Sequence, residues 1–253
     1  MKNLFALLLA SSLFVTIFAV NGVDLFAASS TATFTCFKNN GMSFAIIRAF
    51  RSSGILDTNA AANLQNARAA GLSTEIYMFP CRGKDPTAQV NTLISGISTN
   101  LYSTVWIDAE TNPSSGCSWK DHNASSNCDF IMALVNGLAS HGKNVGIYSS
   151  AVQWQNVFGT TSACTAAGKV PLWYAHYDNS QSFSDFKAFA GWSSPKMKQY
   201  AGDVTLCNTD VDKNWRPWLN QIRSLFNYLS LSILYSSSTF FSFIFISCPF
   251  LDK

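Results

Sequence analysis

Between Gly22 and about Trp218, short runs of β-branched and aromatic residues alternate with Ala-, Asn- and Ser-rich runs, and this alternation restricts the fold most. Strands are predicted at Val23–Phe26, Ser43–Phe50, Thr74–Phe79, Thr104–Glu110 and Asn144–Tyr148. The second is apolar enough to be buried on both faces. Helices are predicted over 34–40, 58–70, 85–97 and 128–140. Gly41 and Gly71 are C-terminal stops, and Asp85-Pro86 supplies an N-cap followed by a first-turn proline. Beyond Tyr148 the regularity fades. An aromatic strand is predicted over 170–177, a short helix over 183–189, and late strands at 196–200 and 211–212. Such alternation indicates an α/β fold with parallel strands. No Gly-rich phosphate loop follows the first strand, so a barrel is expected rather than an open sheet. A barrel gathers functional side chains at the C-terminal ends of its strands. Asp24, Tyr77, Asp108, Glu110, Tyr148 and Asp212 all fall there.

Val105-Trp106-Ile107-Asp108-Ala109-Glu110 concentrates the chemistry. Alternate side chains of a strand share a face, so the two carboxylates project together with Cα atoms roughly 6.6 Å apart. Like charges that close, flanked by apolar residues, raise one pKa and supply a general acid near neutral pH. The alternative is a pair of solvated charges at the end of an exposed strand. Asp24 lies in an apolar strand, where an acid is expected at the rim or paired. Asp212 is either a cleft acid or a turn residue of Asn208–Asn214.

Charged residues make up 12% of the 253-residue chain, well below the ~25% of an average soluble protein. The net charge of +3 comes without a dense Lys/Arg run, so nucleic acid is not an expected partner. Lys2 followed by the uncharged Leu4–Val20 reads as a secretory signal peptide over 1–19. The catalytic domain is expected over 20–218. Residues 219–253 form an apolar Ser- and Phe-rich tail that reads as an anchor, a docked element or translated non-coding sequence, the last being favoured. A membrane is a partner only if that tail is an anchor. Six of seven cysteines lie in the central region, which suits disulfides in an oxidising compartment, and Cys117–Cys128 is the expected pair. Those cysteines lack zinc spacing, so no metal and no cofactor is expected. The sequon Asn123-Ala124-Ser125 falls in the same polar loop.

Aromatic residues reach 14%, and Trp106, Trp154, Trp173, Tyr174, Tyr177, Trp192 and Tyr200 lie in or near the predicted strand ends. Sugar rings stack on such faces, and barrel packing uses them equally well. Tyr77, Tyr148, Trp173 and Tyr200 are the candidate substrate contacts. His176 reads as a structural histidine. No Ser occupies a G-x-S-x-G turn, so a serine triad is not supported.

In order along the chain, several motifs resemble glycoside hydrolase family 25, the Chalaropsis-type lysozymes, with secreted protozoan and nematode members. They are Gly22-Val23-Asp24, Phe44–Ala49, Tyr77-Met78-Phe79, Val105–Glu110, Gly146–Ser150, Leu172–Tyr177, Gln199-Tyr200 and Val211–Asn214. The resemblance implies an irregular TIM-like (β/α)5(β)3 barrel and N-acetylmuramidase activity on bacterial peptidoglycan, with no protein partner. It implies Glu110 as general acid, Asp108 as the group orienting the substrate acetamido group, and Asp24 and Asp212 as the remaining cleft acids. Secretion, or delivery to a lysosomal or phagosomal lumen, accords with it. Met78 and Phe26 depart from the family pattern, which typically has His and a small polar residue there. A chitinase-type barrel would need further acids where Thr104 and Trp106 stand. A non-catalytic wall-binding relative would be expected to lack one of the four acids, and a membrane-tethered lysozyme would require the tail.

Overall fold

The computed structural model describes residues 19–217, which form a closed eight-stranded barrel with five α-helices. The strands are β1 (Ala19–Leu25), β2 (Met42–Arg51), the two-residue β3 (Ile55–Leu56), β4 (Ser73–Met78), β5 (Thr104–Asp108), β6 (Asn144–Ser149), β7 (Leu172–Ala175), β8 (Met197–Leu206) and β9 (Thr209–Pro217). Helices α1 (Thr31–Asn39), α2 (Ala60–Ala69), α3 (Pro86–Gly96), α4 (Ala124–Ser140) and α5 (Ala151–Phe158) each follow a barrel strand. Around the barrel the order is β1-β9-β8-β7-β6-β5-β4-β2, with β2 pairing back to β1 and β3 appended to β2. Neighbours are parallel except for β9, which runs antiparallel to β8 and β1. Five β/α units and three closing strands therefore make the expected (β/α)5(β)3 barrel.

Two apolar layers sit on either side of the strands. Outside, Ala45 and Ile47 of β2 join Val105, Ile107 and Ile147 beneath the helices. Inside, Phe44, Ile46, Trp106, Tyr148, Trp173 and Met197 fill the barrel. Burial on both faces explains why β2 reads as a nearly continuous apolar run. Two glycines make room for the interior rings. A Cβ on Gly22 would lie 2.4 Å from the Phe44 ring, and one on Gly146 would lie 2.2 Å from Trp106. The Trp106 indole donates to Glu75, which also pairs with Arg216, so the interior acid is satisfied.

Several local expectations are corrected. β5 ends at Asp108, two residues before the expected end. α4 starts at Ala124, because Asn123 caps it by accepting from Ser126 N at 2.9 Å. The sequon asparagine is thus a helix cap. α5, which was not expected, is capped by Ser150 and stopped by the left-handed Gly159. No helix forms over 183–189. Its side chains are committed elsewhere: Asp185 to Lys198 and Tyr174, and Phe186 against Tyr174. β8 and β9 form a hairpin with Cys207 and Asn208 at positive φ, which makes both strands longer than expected. The expected Cys117–Cys128 pair is overturned by Cys36–Cys207, Cys81–Cys117 and Cys128–Cys164. Cys128 is fixed inside α4, while Cys117 lies 4.5 Å (Cα–Cα) from Cys81 in the loops after β5 and β4. The signal-peptide reading (to residue 18), the tail reading and Cys248 lie outside the described residues.

Candidate active site

β1 brings Asp24 to the C-terminal mouth of the barrel, directly opposite Asp212 in the antiparallel register with β9. β5 delivers Asp108 to the same mouth, paired in register with Tyr148 of β6. The residue after it is clamped: Ala109 N donates to Tyr148 O at 2.9 Å, and Ser149 Oγ donates to Ala109 O at 2.7 Å. This clamp carries Glu110 just past the strand on the side where Asp108 points. All four acids, with Tyr77, Tyr148, Trp173, Tyr177 and Gln199, line one cavity of about 140 Å³. Asp108 is 5% exposed, so the solvated-pair reading does not hold.

The floor is aromatic. Trp173 packs edge-on against Tyr148 at 4.6 Å and Trp106 at 5.8 Å between ring centroids. Above it, polar bonds fix two of the acids. The Gln199 amide donates to both Asp24 Oδ2 and Asp212 Oδ2 at 2.9 Å. Its oxygen accepts from Tyr148 OH at 2.7 Å and Tyr177 OH at 2.9 Å. Asn214 Nδ2 donates to Asp24 Oδ2 at 2.7 Å, and its own oxygen accepts from the Trp173 indole at 2.8 Å. Asp212 Oδ1 accepts from Asp203 N at 2.8 Å. Asp108 differs, because its buried Oδ1 has no partner.

No lysine, arginine or histidine lines this cavity. Burial raises the pKa of Asp24 well above the carboxylate range, and the nearby Asp212 raises it further. Burial and then Glu110 do the same to Asp108. Burial and the charge of Asp212 push Glu110 up to about 7. Asp212 is raised too, mainly by burial. Four acids in one desolvated space cannot all ionise, so protons are retained at neutral pH. A carboxyl near 7 both donates and recovers a proton there. A wider recess of about 360 Å³ continues from Glu110, Tyr148 and Tyr177 to Ser150, Gln153, Ala175 and His176.

Seven of the eight sequence-derived site residues meet at the cavity. Tyr200 does not. Along β8 the inward position belongs to Gln199, so Tyr200 turns away to cluster with Ala201 and Trp215 and accepts from Gln181. Gln199, Asn214 and Tyr177 were not among the expected site residues. The period-2 pattern of β9 puts Asn214 on the Asp212 face, which is the signal that could have found it. His176 Nδ1 bonds Asp185 Oδ2 at 2.6 Å, beside Asp178. These three groups have metal-ligand chemistry, but the Lys198 ammonium already bridges the two acids at 2.7 and 2.8 Å.

Four carboxyls of raised proton affinity at the mouth of an α/β barrel, over an aromatic floor, form the kind of site a glycoside hydrolase uses. Comparison with known proteins makes the assignment specific. The family described as "Lysozyme-like protein 1" matches residues 16–200. Probable GH family 25 lysozyme 2 of Dictyostelium discoideum is 40% identical over 211 residues, covering 81% of this chain and 95% of that protein. Lysozyme-like protein 5 of Caenorhabditis elegans is 36% identical, covering 79% of this chain and 92% of that protein. The crystal structure of the bacterial lysozyme from Streptomyces coelicolor superimposes with a TM-score of 0.67 at 26% identity, covering 81% of this chain and 94% of that one. The chain belongs to glycoside hydrolase family 25, the lysozymes.

Proposed function

We propose that this chain is a secreted lysozyme that hydrolyses the β-1,4 bond between N-acetylmuramic acid and N-acetylglucosamine in bacterial peptidoglycan. The observation that carries the proposal is the Glu110 carboxyl, pushed up to about 7 in a cavity shared with three other acids and no cation. Glu110 gives its proton to the bridging oxygen as the bond from the muramic acid C1 breaks. The Asp108 Oδ1, buried and unpartnered, accepts from the acetamido N–H of that sugar and faces the positive charge that develops at its ring. Asp24 and Asp212 complete the acidic cleft. Water adds across the bond, and its proton returns to a cavity carboxylate. Tyr77, Tyr148 and Trp173 shape the sugar site.

Three disulfides support an oxidising compartment, either extracellular or a lysosomal or phagosomal lumen. No helix among the described residues is long and apolar enough to cross a membrane. On this reading residues 1–19 are the signal peptide, 20–218 the catalytic domain and 219–253 an appended tail. Mass spectrometry of digested peptidoglycan tests the bond. Fragments with muramic acid reducing ends are expected; glucosamine reducing ends, or an uncut wall between pH 4 and 8, contradict the proposal.

A further inference from the structure

Four large apolar side chains are exposed among the described residues: Phe26 (50%), Ile55 (49%), Val152 (69%) and Tyr177 (53%). All four follow the C-terminal ends of barrel strands, on the face that holds the acids. Phe26 comes directly after β1, Ile55 lies on β3 just beyond β2, Val152 is in the first turn after β6, and Tyr177 follows β7. In the closed strand order β1 lies opposite β6, and β2 opposite β7. The exposed apolar groups therefore sit at two ends of one diameter of the mouth, with the acid cavity between them. The recess lined by Gln153, His176 and Tyr177 already marks the β6/β7 end.

At the β1/β2 end, Phe26 is mounted rather than merely exposed. The Arg48 guanidinium lies 4.2 Å from its ring centroid and backs the ring. Arg48 is itself held by the buried Asp57 at 2.7 Å, and Asp57 is further fixed by Arg51 and by the backbone N–H of Asn59. The Asn59 amide also donates to the Phe26 carbonyl at 3.1 Å. Arg48 pairs in register with Tyr77, a wall of the acid cavity, so the mount continues into the site. Beside a cleft read as taking a glycan, a half-exposed aromatic ring on a rigid polar support suits a pyranose, whose C–H face covers the ring while its hydroxyls stay in water.

Resting on the lysozyme reading, we propose that Phe26 is the stacking platform for a sugar of the glycan strand outside the bond-breaking site. The strand then crosses the mouth from the β1/β2 side to the β6/β7 side. The test is calorimetric binding of a purified alternating N-acetylglucosamine/N-acetylmuramic acid tetrasaccharide and of the disaccharide to Glu110→Gln protein, with and without Phe26→Ala or Phe26→Trp. Phe26→Ala should weaken the tetrasaccharide about 5- to 10-fold and the disaccharide less than about twofold. Phe26→Trp should bind the tetrasaccharide at least as tightly as Phe. The melting temperature of all three should agree. Equal tetrasaccharide affinity with and without the ring, an equal loss for the disaccharide, or no tetrasaccharide binding to Glu110→Gln overturns the platform. The two readings fail separately. A wild-type protein that leaves peptidoglycan uncut, yet binds tetrasaccharide through Phe26, sinks the lysozyme reading alone. One that cuts the wall with Phe26→Ala unimpaired sinks the platform alone.

Discussion

Asp24, Asp108, Glu110 and Asp212 share a cavity without a cation, whereas Asp178 and Asp185, just beyond β7, close on the ammonium of Lys198. Both groups of acids stand at the C-terminal side of the same barrel, and their proton affinities move in opposite directions. In the cavity burial dominates and every acid is raised. At Asp178 and Asp185 desolvation is the largest single effect and raises them, but the hydrogen bonds from Lys198, joined by Ser180 N at Asp178 and by His176 and Tyr174 at Asp185, together outweigh it and both acids are lowered. The first arrangement is poor for stability and suited to proton transfer; the second is a structural clasp that seats His176 at the edge of the recess. What separates the two groups of acids is the buried Lys198 together with the hydrogen-bond donors around it, which the cavity acids lack.

The stability consequences also have opposite signs. A carboxyl raised in the folded state favours folding while protonated, so the cavity contributes most below about pH 4.5 and loses that contribution as pH rises towards 7. Acids lowered in the folded state contribute above their ordinary value of 3.8 and lose the contribution as pH falls below it. A barrel with only one of the two groups would lean towards one end of the pH scale.

The largest expected effect is on turnover. Glu110→Gln should lower kcat on peptidoglycan by about 10²- to 10⁴-fold, the usual worth of a general acid, while circular dichroism stays native. Near-normal turnover would remove Glu110 from the role. Next, Lys198→Met leaves Asp178 and Asp185 facing each other without their cation. It should cost about 3 kcal/mol in denaturant unfolding, and raising the pH should not restore the loss. An unchanged midpoint would show that the clasp is not structural. A smaller effect, of the opposite sign, is expected in the cavity. Glu110→Gln should raise the melting temperature by about 2–4 °C at pH 8, with the gain shrinking towards pH 4 as the native acid keeps its proton. A melting temperature lowered at pH 8 would contradict the electrostatic account. Smallest of all, Tyr200→Phe removes a hydroxyl outside the cavity and should change kcat/KM by less than about twofold; a larger loss would return Tyr200 to the substrate path.

Much of this arrangement is legible in the sequence, for identifiable reasons. The parallel strands are buried on both faces and so read as apolar runs, and Asp85-Pro86 marks the start of α3 through cap chemistry that needs no tertiary partner. Asp108 and Glu110 are visible as a pair because spacing alone puts them on one side. The rest depends on contacts remote in sequence. Gln199 gains its place through bonds to acids 175 and 13 residues away. Tyr200 beside it looks the better sugar contact until the alternation of β8 turns it away. The Cys81–Cys117 bridge joins loops that only the β4–β5 pairing brings together. The absence of helix over 183–189 reflects the demands of Lys198 and Tyr174, which local propensity does not contain.

With its pKa pushed up to about 7, Glu110 keeps its proton on about half of the molecules at neutral pH, and the chain offers a clean way to measure this. Glu75 and Glu110 are its two glutamates, so carboxyl-¹³C-labelled glutamate yields two side-chain resonances. The one that vanishes in Glu110→Gln is expected to titrate with a midpoint near 7. A midpoint at the ordinary glutamate value of 4.5 would contradict the account.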